Sequence, residues 1–207
     1  MPDVLAKWRD IWARLSGPGA YPHELSGLLL LPFRRLVFSP GQLVAQLRLT
    51  TRSRVLEIGP GPGFFSPAVA RCVPDGRLEP VDIQREMLLK ARHRLRARGL
   101  SHVGFTQCGA DALPFAAGSF DVVFLVAVLG EVPDPAACMR AVAYVLRHGG
   151  RLVCAELPGD PDALGVDDLR ALTADSGLSL TSSTRVGRAT VTTFEKPEPP
   201  SPFVSIV

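Results

Sequence analysis

Cysteine is sparse in this chain and never paired in sequence. The four cysteines, Cys72, Cys108, Cys138 and Cys154, are scattered through apolar runs. That scatter excludes the spacing of a zinc motif and gives no disulfide framework. A thiol in such a run behaves as a small buried hydrophobe, so no metal site is expected. Charge of one sign is also lacking: the net charge is +3 over 207 residues, too small an excess to indicate a nucleic-acid partner. Long hydrophobic runs are missing as well. The stretch LSGLLLLPF is too short to cross a membrane and Pro32 breaks it. The opening MPDVLAKWRDIWARL carries acids and bases where a signal peptide needs an apolar core. A soluble, cytoplasmic protein without internal repeats is the expectation.

What remains is a globular chain, 46% hydrophobic and 21% charged, sized for one domain with a substantial core. Residues 1–50 read as short helices over 3–15, about 23–31 and 40–48. Ser39 and Pro40 suit the cap and first turn of the last one. These residues are expected to form a helical cap or lid over a domain of residues 51–196. From Arg54 the pattern alternates between strands and helices. Strand 54–58 leads to helix 63–72, strand 77–82 to helix 84–97, and strand 103–107 to strand 120–126. Helix 135–146, strand 151–156 and helix 165–176 follow. The runs LSLTSST and ATVTTFEK close as an antiparallel hairpin, and residues 197–207 form a Pro-rich tail. Such alternation predicts a doubly wound α/β fold, a mostly parallel seven-stranded sheet with helices on both faces. Pro80 conflicts with it. An internal strand needs the N–H that proline lacks, so a bulge is expected there.

The segment RVLEIGPGPGFFSP, residues 54–67, joins an apolar strand to a turn of alternating glycine and proline. In open α/β sheets, ligands bind beyond the carboxyl ends of the strands. Acids gather at that edge here: Glu57, Asp82, Asp111, Glu131 and Glu156. A mouth of carboxylates suits hydroxyl and amino donors. It suits phosphate badly, because phosphate cradles use clustered N–H groups with Lys or Arg, and Pro60 and Pro62 remove two donors. A dinucleotide fingerprint would also place a glycine where Phe64 stands. Asp82 follows Gly59 at close to the interval of about 20 residues at which an acid meets ribose hydroxyls. The expected ligand carries a ribose and an amine but no pyrophosphate.

On these residues the chain resembles the class I methyltransferases that use S-adenosylmethionine. LEIGPGPG is similar to their E/D-x-G-x-G-x-G motif, VDIQREML to their second-strand motif, and GADALPFAAGSFDVVF to the segment around their third strand. LGEVPDP and VLRHGGRLV extend the likeness, with His148 where proline is commoner. The resemblance covers residues 54–158 and is nearest to ubiquinone- and menaquinone-biosynthesis-like small-molecule methyltransferases. It implies a Rossmann-like fold, S-adenosylmethionine as cofactor and S-adenosylhomocysteine as product. It further implies that Gly59, Gly61 and Gly63 admit the methionine part of the cofactor and that Glu57 holds its amino group. Asp82 would take the ribose hydroxyls, Ile83 would pack on the adenine, and Asp111 with Ala112 would face the adenine amino group. Tyr21, in the N-terminal segment, would reach the cofactor as that segment folds over it.

Methyl transfer to a small-molecule acceptor needs alignment and exclusion of water, and a base only where the nucleophile starts protonated. Glu131 and Glu156 are the candidate bases from their place at the strand ends. Nothing in the residues selects an oxygen, nitrogen, carbon or sulfur acceptor. The Asn/Asp-Pro-Pro-aromatic signature of nucleobase and amide methylation does not follow the fourth strand. A catalytically inactive scaffold or partner subunit of the same fold is the alternative, and monomer and homodimer both remain open.

Overall fold

A computed structural model describes residues 34–199 of the chain. The helices expected over 3–15 and 23–31, and Tyr21, lie outside the described residues. The strands are β1 (Arg54–Ile58), β2 (Arg77–Asp82), β3 (Thr106–Gln107), β4 (Phe120–Val126), β5 (Leu146–Glu156), β6 (Ser179–Val186) and β7 (Ala189–Glu195). The helices are α1 (Arg34–Val37), α2 (Pro40–Leu47), α3 (Ser66–Cys72), α4 (Arg85–Arg96), α5 (Pro135–Val145) and α6 (Val166–Thr173), with a 3-10 turn at Leu129–Glu131. The strands form one seven-stranded sheet in the order β3-β2-β1-β4-β5-β7-β6. Its first five strands are parallel, and β7 runs antiparallel to both β5 and β6. The doubly wound expectation and the closing hairpin both hold.

Parallel strands covered on both faces carry near-continuous apolar runs, and RVLEI and FDVVFLV are such runs. Their side chains divide by the period of two. Val55, Phe124 and Val153 pack with Leu43 of α2, Val69 of α3 and Ala91 of α4. Leu56, Leu125 and Leu152 face the other way, onto Met139 and Val142 of α5 and Leu169 of α6. The amino edge is pinned by Asp121. It takes Arg54 at 3.0 Å and Arg147 at 2.7 Å.

The second strand runs unbroken through Pro80, which pairs in register with Glu57. The explanation lies in which neighbour each residue addresses. Val81 offers its carbonyl to Gly59, on the β1 side. Leu78 and Asp82 offer theirs to Gly104 and Cys108, on the β3 side. Pro80 falls in phase with the latter, so its missing N–H is lost from the outer ladder. That ladder is correspondingly thin. The strand expected over 103–107 is reduced to Thr106–Gln107 and one bridge from Val103 to Leu78. At the other end β5 begins at Leu146, five residues earlier than expected, across a register shift between Phe120 and Val122. The helix expected from residue 63 starts at Ser66, because Gly63 holds φ +78°, a left-handed conformation that cannot continue a helix.

Strand order reverses between β1 and β4, which makes the gap beyond their carboxyl ends the topological switch point, where such sheets bind ligands. The described end of the N-terminal segment reaches that edge too. The carbonyl of Val37 accepts the N–H of Arg188, in the β6–β7 turn, at 2.9 Å.

Candidate ligand site at the carboxyl edge

A cavity of about 590 Å³ opens at the switch point. Its floor is the turn between β1 and α3. Gly59, Gly61 and Gly63 all hold positive φ, and their N–H groups are all committed internally. Gly59 donates to Val81 at 2.9 Å, Gly63 to Pro60 at 3.0 Å, and Gly61 to the Asp82 carboxylate. Pro60 and Pro62 have none to give. The turn therefore approaches a ligand closely yet offers it no nest of donors from these five residues, which is what a phosphate would require.

Glu57 lies at the bottom, 2% exposed, next to the start of α3. Burial pushes its carboxyl up to about 8. The neighbouring Ser66 hydroxyl works against that rise, and the charge of Asp82 adds to it. Among the described residues, neither Glu57 Oε2 nor Ser66 Oγ completes a hydrogen bond of good geometry. An orphaned buried polar atom costs about 1–3 kcal/mol, and two together mark a place built to receive a donor. Asp82 ends β2. Burial raises its carboxyl to about 6 against N–H bonds from Gln84, Gly61 and Ile83, the first at 2.8 Å. Beside it Ile83 is 59% exposed on the cavity wall, an apolar surface available to a flat ring. Asp111 lies across from it on the loop after β3.

The β4 side supplies Ala127, Val128 and Glu131. Ala127 holds φ +54°, an unusual conformation for a residue with a Cβ, and its N–H donates to Ala155 at 2.8 Å. Strain of this kind persists where the surroundings over-determine it, and it clusters at ligand sites. Most of the remaining wall is apolar, with Val37, Phe64, Phe65, Val132, Pro133 and Leu157, and Asp160 joins it from the loop after β5. Phe38, one of the aromatics near this segment, belongs to the core instead. It is fully buried, with its ring 5.7 Å from that of Phe65.

The structure thus brings Glu57, Gly59, Gly61, Asp82, Ile83, Asp111 and Glu131 to one cavity. Three sequence candidates are placed elsewhere. Gly63 does not line it; its missing side chain makes room for Ala91 of α4, whose Cα would lie 3.0 Å from a Cβ there. Ala112 is exposed just outside the wall. Glu156 closes β5 but is 7% exposed and off the wall. Burial lifts its carboxyl to about 7, with help from the charge of Asp160, while the Leu164 N–H donates to it and works against the rise. Sequence reasoning missed Ser66, which reads only as a helix start, and Asp160, whose Pro-Gly-Asp-Pro surroundings read only as a loop. Asp160 joins the wall from the loop after β5, while Ser66, at the start of α3, is buried beside Glu57.

Comparison with known proteins agrees with this geometry. Residues 56–154 match the methyltransferase domain family. The chain is 39% identical over 108 residues to the ubiquinone/menaquinone biosynthesis C-methyltransferase UbiE of Cellvibrio japonicus, a match covering 51% of this chain and 43% of that protein. It is 34% identical over 103 residues to the demethylmenaquinone methyltransferase of Lactococcus lactis, covering 49% and 41%. The chain spans less than half the length of these curated relatives. Among solved structures, a SAM dependent methyltransferase from Aquifex aeolicus superposes with a TM-score of 0.79 at 19% identity, over 85% of this chain and 98% of that one. At that identity the likeness is one of fold.

Proposed function

We propose that this chain is a class I S-adenosylmethionine-dependent methyltransferase and that it transfers a methyl group to a small, largely apolar acceptor. One observation carries the reading. Among the described residues, the polar side chains of the cavity include five carboxylates, Glu57, Asp82, Asp111, Glu131 and Asp160, and no Lys, Arg or His. Such a wall favours a ligand that brings cations and hydroxyl donors and rejects a pyrophosphate. The Glu57 and Ser66 atoms left without partners fit the ammonium of a methionine moiety.

When bound, the cofactor supplies a methyl group already activated by a cationic sulfur. The chain has to bind, orient and exclude water. Glu57 takes the ammonium as an ionised carboxylate. Asp82 accepts from the ribose hydroxyls, its orientation set by the Gly61 and Gln84 N–H groups. Ile83 packs on the adenine, and Asp111 faces the adenine amino group. Phe64, Phe65, Val132, Pro133 and Leu157 shield the reacting centre from solvent. The name of the UbiE relative, a C-methyltransferase of ubiquinone/menaquinone biosynthesis, points to carbon methylation, and a hydroxylated aromatic or quinol ring suits this apolar wall. Activating such a ring requires removal of a hydroxyl proton, and Glu131 is the wall acid assigned to it. Glu156, nearly buried and off the wall, is assigned no contact with the acceptor.

The test uses methyl-labelled S-adenosylmethionine with a panel of quinols, phenols, thiols and amines, read by mass spectrometry. Methylation of a quinol or phenol supports the assignment. Tight cofactor binding without transfer to any of them would favour a non-catalytic binding protein. Micromolar binding of NAD with no response to adenosyl ligands would overturn the whole reading.

A further inference from the structure

We propose that Ser66 is a positioning residue of the cofactor site, whose hydroxyl pairs with Glu57 so that the carboxyl gives up a proton in exchange for the incoming ammonium. The inference rests on the functional reading above and assigns a role to a residue that the glycine-turn motif does not include.

The geometry supplies the pair. Val55 and Glu57 share the face of β1 that meets α3, and Ser66 opens that helix fully buried. Among the described residues neither Glu57 Oε2 nor Ser66 Oγ has a hydrogen-bond partner, so the carboxyl and the hydroxyl are neighbours whose bond is still to be made. A serine hydroxyl carries one proton and two lone pairs. It can therefore accept from a protonated Glu57 and, after turning, donate to an ionised one. The carboxyl is held protonated near neutral pH by burial, with its pKa raised to about 8. An ammonium arriving there favours the carboxylate, and the displaced proton leaves to the buffer.

Few other groups can contribute. From β2, Asp82 faces Glu57 and titrates at about 6, so it is largely ionised before binding at pH 7. The strand neighbours in register with Glu57 are Pro80 and Phe124, which carry no charge. On α3 the charged side chain is Arg71, turned back to the carbonyl of Pro67 at 3.3 Å.

Titration calorimetry of the full chain with S-adenosylhomocysteine, in buffers of different ionisation enthalpy, counts the protons released. About one proton per ligand is expected at pH 7, falling towards zero by about pH 9.5. Glu57→Gln should abolish the release. Ser66→Ala should weaken binding about fivefold to tenfold at pH 7, a penalty that shrinks as pH rises past 9, because it acts by making Glu57 harder to ionise. Binding without proton release, or a Ser66→Ala penalty equal at all pH values, would refute the exchange while leaving the cofactor assignment standing. Failure of the unsubstituted protein to bind any adenosyl ligand would remove both. Release measured on the unsubstituted chain decides the exchange even where Ser66→Ala folds poorly.

Discussion

Gly59 and Val128 meet across the switch point so closely that a Cβ on the glycine would lie 2.5 and 2.8 Å from the two valine methyl carbons. The first residue beyond β1 and the second beyond β4 are thereby fitted to each other, with the cavity between their strands. Gly59 also holds φ +66°. Gly59→Ala should destabilise the protein by about 1–3 kcal/mol through clash and left-handed strain and displace the wall enough to lose cofactor binding. Adding Val128→Ala should recover only the clash part. Thermal melts with calorimetry on both variants check this, and a Gly59→Ala protein of unchanged stability would show that the contact is not as close as described.

On the proposed reading Asp82 has two duties, and its substitution should show both. Removing the carboxylate takes away the acceptor for ribose hydroxyls and should weaken cofactor binding by about 1–3 kcal/mol. It also strands the N–H groups of Gly61 and Gln84, so the ligand-free protein should lose stability too. Asp82→Asn retains one acceptor oxygen and should separate the effects, keeping most of the stability and less of the affinity. Affinity unchanged in both variants would remove Asp82 from the binding site.

Glu57 makes stability depend on pH in a definite direction. Its folded-state pKa, about 8, lies above the ordinary value of 4.5, so between those values the native state binds more protons than the unfolded one. Stability from this group is full below pH 4.5 and is lost as pH rises through 8. The slope can reach about 1.4 kcal/mol per pH unit. Glu57→Gln should therefore gain on the parent protein with rising pH, and denaturant melts of the ligand-free proteins at pH 5 and pH 8.5 measure the gain. A constant difference would show that Glu57 is ionised in the folded protein across the range.

Glu131 and Glu156 should differ sharply in function. Glu131→Gln should lower turnover by about 100-fold, the scale of a lost general base, while leaving the cofactor Kd within a factor of a few. Glu156→Gln should leave turnover nearly unchanged, since its side chain is off the cavity wall and faces the Leu164 N–H. Single-turnover rates with an accepted substrate decide between them. The reverse ranking would mean that the loop after β5 rearranges on binding.

Local chemistry was enough to read the scaffold. Apolar runs such as RVLEI and FDVVFLV mark buried parallel strands wherever they occur, and the alternation around them leaves few topologies to consider. Glu57, the glycine turn and Asp82 were legible for a similar reason: an acid at a strand end and a turn that tolerates positive φ are properties of short segments. Long-range packing settled the rest. Pro80 is harmless because its missing donor faces the thin β3 ladder, a fact about neighbours across the sheet. Gly63 makes room for Ala91 of α4 and is off the cavity wall, and Glu156 closes the correct edge yet is off that wall too. Ser66 enters the proposal only because α3 places it, fully buried, beside Glu57. Periodicity records which face of an element is buried. Which group it is buried against, and so which protonation state and which ligand it can hold, depends on residues distant in sequence that folding brings to the same few ångströms.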